Sequence, residues 1–296
     1  MNLMNRLAVS LTQRSKFFRY HVSYDLPIKR GGAFLKVPVV NGMGLEHLSD
    51  DEEGVQRIVR YLLSNSPGAF VDVGANIGQT LLKVIASDRN RRYIGFEVQP
   101  NCVGYLDRLI RANSLTNTQL FSIGLYSRSM VMELYTDGEA DPGASVVDGL
   151  RNKSYSISYP VVLETGDCIL RQLQFDAIAV IKIDVEGAEA DVLLGMSAII
   201  AQHRPALLIE ILPTNHLQND SSVSQTRITE MTVLRNKQTA AIKAFAKEHS
   251  YLSFRIMPDG HLQRTEEYEM SSYDHNLVNY LFIGTEAVDL VQEIVK

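Results

Sequence analysis

The chain has 296 residues, 45% of them hydrophobic and 21% charged, which suits one large α/β domain with additions or two small domains. Its net charge of −5 is unevenly spread. Residues 1–36 carry Arg6, Arg14, Lys16, Arg19, Lys29, Arg30 and Lys36 against Asp25 alone, a local +6, and the other 260 residues hold 22 basic and 33 acidic side chains, or −11. That acidic body offers no basic face to nucleic-acid phosphates, and no run approaches the ~18 apolar residues that cross a bilayer.

From the start of the chain, Leu3, Met4, Leu7, Ala8 and Leu11 recur at helical spacing among basic residues. Two readings are open for residues 1–20. A short amphipathic helix usually packs on its own domain or on a dimer mate, and we favour that. The other reading is contact with anionic lipid or a partner. The apolar stretch at 7–11 is too short for a secretory leader, and Arg14 and Lys16 soon follow it. Cys102 and Cys168 form neither a disulfide framework nor a metal-ligand spacing, so a cytoplasmic location is expected. Residues 1–60 are taken as a basic helical or extended segment packing on or capping the core. Residues 61–296 are taken as one domain with inserted loops near 125–175 and 213–224.

Beyond the N-terminal stretch, apolar strand candidates at 69–73, 93–96, 119–123, 178–183, 206–212, 252–257 and 280–283 alternate with helical patterns at 54–64, 77–87, 99–113, 188–202 and 226–249. Such alternation predicts a mostly parallel sheet covered on both faces. Two segments break the rhythm. Residues 125–175 contain a hairpin candidate at 130–135 and the polar loop TDGEADPGAS, and residues 213–224 are rich in Ser and Asn. Both are long enough to be functional.

The first strand and its turn read AFVDVGANIGQT, residues 69–80. A glycine at a strand end permits a sharp turn and the close approach of a ligand. The dinucleotide fingerprint is Gly-x-Gly-x-x-Gly with a pyrophosphate on the helix N-terminus. Here the run is Gly74-Ala-Asn-Ile-Gly78, with Asn76 in the middle. The spacing suits a ligand without a pyrophosphate and counts against NAD. Glu97, 25 positions after Asp72, ends the second strand, where an acid accepts ribose hydroxyls. A purely structural turn explains the glycines alone. It explains less well Asp72, Gly74, Gly78 and Glu97 together, each at a strand end.

VDVGANIG, GFEVQP with Asn113 downstream, IKIDVEGAEADVLLGM and RPALLIEI together resemble the motif series of the FkbM-type methyltransferases, over roughly residues 35–283. The resemblance implies a class I, Rossmann-like three-layer sandwich whose seven-stranded, mostly parallel sheet ends in an antiparallel strand, here 280–283. It implies S-adenosylmethionine as cofactor and transfer of its methyl group to a hydroxyl of a sugar, glycan or other natural product. Carried over by position, Gly74 and Asn76 would line the methionine end, Glu97 would hold the ribose, and the backbone at Ile123 and Gly124 would border adenine. Ala75, Gly78, Thr80, Val98 and Asp72 complete the expected cofactor set with Asp184. The family pattern often has a proline soon after the ribose acid. Here Val98 and Gln99 precede Pro100, which shifts that turn.

AVIKIDVEGAE holds the expected catalytic set. By the period of two, Lys182, Asp184 and Glu186 share one face of a central strand, an unfavourable placement unless they pair or line a crevice. A Lys182–Glu186 ion pair bracing the sheet is one reading. Asp184 is the candidate general base, with the cofactor's amino group as its other possible partner and Glu186 as the second candidate base. A metal set of Asp184, Glu210 and His216 matches no recognised spacing, and no metal is expected. His216 and His47 read as plain polar loop residues. A nucleic-acid methylase is disfavoured, because V-E-G-A replaces the Pro-Pro-aromatic platform that stacks a flipped base. A non-catalytic Rossmann-like protein remains the other alternative, against which Asp184 and Glu186 count.

Overall fold

A computed structural model describes residues 23–48, 52–138, 140–148, 155–213, 224–268, 274 and 277–295. The amphipathic stretch expected at 1–20 and His216 lie outside them.

Among the described residues, alternation of short apolar strands with helices produces an eight-stranded sheet. In chain order its members are β3 (Ala69–Val73), β4 (Tyr93–Phe96), β5 (Thr118–Phe121), β9 (Ile178–Ile183), β10 (Ala206–Glu210), β11 (Tyr251–Ile256), β12 (Leu262–Arg264) and β13 (Asn279–Gly284). They are ordered β12-β11-β13-β10-β9-β3-β4-β5 in space. The strands β10, β9, β3, β4 and β5 run parallel, and β13 inserts antiparallel between β10 and β11. The expected sheet had seven strands. The eighth is β12, which pairs antiparallel with β11 after a turn closed by Gly260, whose φ is +82°. Three residues are too few to show a period of two.

The period of two sorts the sheet's side chains onto two cores. Phe70, Tyr93, Val180, Leu208, Phe254 and Leu281 meet α1 (Glu53–Asn65), α2 (Gln79–Ser87) and α3 (Pro100–Ala112). Val71, Val73, Ile94, Ile181, Ile183, Leu207 and Phe282 meet α5 (Glu189–Gly195), α6 (Ser197–His203) and α7 (Gln225–Glu248), with Leu170 of the short α4 (Gly166–Leu170) in the same core. The single helix expected at 188–202 divides at Met196, where Gly195 lies so close to the Tyr126 carbonyl that no side chain fits between them.

Before the sheet, β1 (Tyr24–Arg30) and β2 (Ala33–Val39) form a hairpin around Gly31 and Gly32, both at positive φ. It packs on α2 and α3. After β5, a second small sheet contains β6 (Gly124–Leu125), β7 (Met130–Thr136) and β8 (Ile157–Glu164). The hairpin partner expected at 130–135 is β7, and it pairs antiparallel with β8, Met130 opposite Leu163. Among the described residues no helix is long and apolar enough to cross a membrane.

Candidate active site

The carboxyl ends of β3, β4 and β9 meet where strand order reverses, the usual crevice of an open α/β sheet. Gly74, with φ +83°, turns the chain out of β3, and a Cβ there would overlap the Asp184 carbonyl oxygen. Glycine is therefore required by both conformation and space. Gly74 and Ala75 donate their N–H groups to the Phe96 carbonyl, 3.0 Å each. Asn76 follows in the left-handed region at φ +46°, which asparagine tolerates. Its N–H then points at Glu97 and donates to Oε2 at 2.7 Å.

Glu97 is buried, and three main-chain donors surround it. Besides Asn76, the N–H groups of Val98 and Gln99 reach Oε1 at 2.9 and 2.8 Å. Burial pushes its pKa up, against the pull of these hydrogen bonds. A carboxylate has about four acceptor positions. The described residues use three, which leaves one on Oε2 for a ligand.

These residues line one cleft. Val73, Gly74, Asn76, Glu97 and Val98 form one side, and Asp184, Val185 and Glu186 the other. Gly124, Leu125, Leu134 and Leu163 from the small sheet close its apolar end together with Pro142, Ala144 and Val146. Of the residues expected to touch a cofactor, Gly74, Asn76, Glu97, Val98, Gly124 and Asp184 meet at this cleft. The others do not line it. Gly78, at φ +91°, caps α2 and is pressed against Leu106 and Leu109 of α3. Ala75 and Thr80 are buried around the turn, and Ile123 packs into the sheet's second core.

Asp72 lies beneath the cleft, wholly buried, with Oδ2 accepting from the Tyr93 hydroxyl at 2.5 Å. Burial raises its pKa to about 6, opposed by the Lys182 charge on the neighbouring strand. Lys182 does not pair with Glu186. Its Nζ lies 2.7 Å from Asp184 Oδ2. Glu186 instead enters the left-handed region at φ +57°, just past the strand, and faces the cleft. Burial works against the Lys182 ammonium, but Asp184 and Asp72 outweigh it and hold its pKa above the ordinary value. Asp184 Oδ1 accepts no hydrogen bond from the described residues. Alongside, Lys83 is buried and paired with Glu52 at 2.6 Å, and burial plus the Asp184 and Glu186 charges push the Glu210 carboxyl far upward.

Sequence patterning did not flag Glu189. Its buried carboxylate accepts from Gly187 N–H at 2.9 Å and Val185 N–H at 3.3 Å, so it holds the turn that carries Glu186. His47 is no loop residue. It is buried on a 3-10 turn, Leu45–Leu48, with Nε2 3.1 Å from the Ile77 carbonyl, and burial lowers its pKa to about 3. Among the described residues no group of three or more His, Cys, Asp or Glu side chains is placed to hold a metal ion.

Residues 72–252, more than half of the chain, match the family model described as the methyltransferase FkbM domain. The chain belongs to the FkbM methyltransferase family. S-adenosylmethionine is the methyl donor that membership brings, and the cleft suits it: a cradle without a side chain at Gly74, a spare carboxylate acceptor on Glu97 and an apolar end at Leu134 and Leu163. Among curated proteins none matches the chain. Among solved structures, the FkbM methyltransferase of Methylobacillus flagellatus is 17% identical with a TM-score of 0.40; the alignment covers 73% of this chain and 43% of that one. This chain thus spans under half the length of that relative. A methyltransferase of Podospora anserina bound to S-adenosylhomocysteine is 8% identical, TM-score 0.45, over 96% and 97% of the two chains. A methyltransferase described as putative from Streptococcus mutans, also bound to S-adenosylhomocysteine, is 9% identical, TM-score 0.42, over 79% and 98%.

Proposed function

We propose that this FkbM methyltransferase methylates a hydroxyl oxygen of a sugar, glycan or glycosylated small molecule. When bound, S-adenosylmethionine supplies a methyl group on a cationic sulfur, already activated for displacement. Gly74 and Asn76 would hold its amino-acid end, Glu97 its ribose, and Val98, Gly124, Leu134 and Leu163 its base. The remaining task of the protein is to align the acceptor, exclude water and take up a proton. Alignment is worth ~7–11 kcal/mol in well-oriented systems.

The observation that carries this reading is Asp184 at the cleft wall, with Oδ2 fixed by a protonated Lys182 and Oδ1 accepting nothing from the described residues. Lys182 thereby orients the carboxylate, and Oδ1 receives the proton that the acceptor hydroxyl gives up. General-base help of this kind contributes ~10²–10⁴-fold. Glu186 lines the same wall beside Asp184. Carboxylates offer acceptors to several hydroxyl donors at once, which favours a polyhydroxyl acceptor over an apolar one.

The test is a transfer assay with S-adenosylmethionine against a panel of sugars, glycosides, apolar phenols and nucleic acid, read by mass. A methylated sugar or glycoside supports the proposal, and a methylated nucleic acid or amine as the preferred product contradicts it.

A further inference from the structure

The segment 141–147 stands over the apolar end of the cleft, and one side chain ties it to the opposite rim. Gln99 Nε2 donates to the Asp141 carbonyl at 2.9 Å, and Gln99 Oε1 accepts the Asp141 N–H at 3.0 Å. A primary amide carries a donor and an acceptor side by side, like a peptide group, so this pairing has the form of a β-bridge between a side chain and a main chain. Both residues are buried. The far end of the segment is anchored separately. Ser145 exchanges main-chain hydrogen bonds with Tyr135 of β7, and its hydroxyl donates to the Glu186 carbonyl at 2.8 Å. Pro142 and Ala144, between the two anchors, face the cleft. The same Gln99 also gives its main-chain N–H to Glu97 Oε1.

We infer that Gln99 is a positioning residue: it holds segment 141–147 in place as the wall against which the nucleoside base packs, and so sets affinity for the adenosine part of the ligand. The inference rests on the reading of this cleft as the S-adenosylmethionine site. The Gln99 contact with Glu97 is made by its main-chain N–H, which any residue but proline supplies. The wall depends on the side chain, which only a residue of this length with a terminal amide supplies.

Gln99→Met keeps length and apolar bulk and removes both side-chain bonds. Calorimetric titration with S-adenosylhomocysteine and, separately, with adenosine should then show both ligands weakened ~10- to 100-fold, by the same factor. In turnover, KM for the methyl donor should rise with kcat at saturation unchanged. Gln99→Glu, which keeps the acceptor and loses the donor, should fall between. In the wild-type protein, adenosine should slow hydrogen exchange at the Asp141 amide, a readout that survives if the variants fail to fold. Wild-type affinity in Gln99→Met, or a loss for S-adenosylhomocysteine without one for adenosine, would overturn the inference. So would Asp141 exchange that adenosine leaves unchanged. A wild-type protein that binds neither ligand would instead overturn the cofactor reading itself, and this inference with it.

Discussion

On the β4 side of the cleft, Glu97 ends among three main-chain N–H groups, while on the β9 side Asp184 ends against a buried ammonium. Main-chain donors are fixed by the fold and carry no net charge, so Glu97 keeps its place whatever occupies the cleft. The β9 side is different. Lys182, Asp72, Asp184, Glu186 and Glu210 stabilise or oppose one another through charge, in surroundings where burial magnifies each interaction. One side is suited to holding a ligand in a preformed shape, the other to moving a proton.

That contrast can be broken by substitution, and the largest effect belongs on the β9 side. Asp184→Asn keeps shape and removes charge and basicity. Turnover should fall ~10²–10⁴-fold at saturating cofactor, with affinity for S-adenosylhomocysteine nearly unchanged, and the loss should shrink at high pH. Near-normal turnover would reassign the base, with Glu186 next to test.

On the β3 turn, Gly74→Ala forces a side chain into the Asp184 carbonyl at a positive φ. The turn must shift, and we expect a loss of ~2–4 kcal/mol in unfolding free energy together with loss of cofactor binding. A variant as stable as wild type would show that the turn is softer than its packing implies.

Glu97→Ala sharpens the comparison. Besides the ribose acceptor it removes the partner of three N–H groups, so cofactor affinity should fall by ~1.5–3 kcal/mol, with a measurable drop in melting temperature. Calorimetry and thermal unfolding on one sample separate the two. If affinity alone changed, the N–H groups would have found other partners.

The smallest effect is expected at Glu189, whose carboxyl burial raises from 4.5 to about 7. A raised carboxyl contributes stability that is full below its unfolded value and lost as pH rises through the folded one. The advantage of wild type over Glu189→Gln should therefore shrink by ~1–3 kcal/mol between about pH 4.5 and 7 and stay flat above. Denaturant midpoints at several pH values test this, and a difference independent of pH would contradict it.

Much of this was legible in the chain because strand ends are marked by chemistry. Gly74, Glu97 and Asp184 each follow an apolar strand at the point where the fold opens a crevice, and the alternation of strands and helices shows directly in the apolar pattern. What stayed hidden depends on contacts distant in sequence. The sequence pattern offers Glu186 as the partner of Lys182, whereas the structure gives Asp184: the period of two puts both on one face, and only the left-handed turn at Glu186 separates them. Gln99 carries no signal of its own, since its partner Asp141 lies 42 residues away. Gly78 misled for a related reason: a helix-capping glycine and a ligand-facing glycine have the same sequence signature, and here the leucines of α3 occupy the space.

The central claim is that the cleft at the ends of β3, β4 and β9 is built for a nucleoside cofactor without a pyrophosphate. Thermal unfolding with S-adenosylhomocysteine, beside NAD, tests it most directly. At ~100 times its dissociation constant, S-adenosylhomocysteine should add ~2.7 kcal/mol of stability, NAD should add none, and Glu97→Ala should need more ligand for the same shift. Stabilisation by NAD, or by neither compound, would contradict the account.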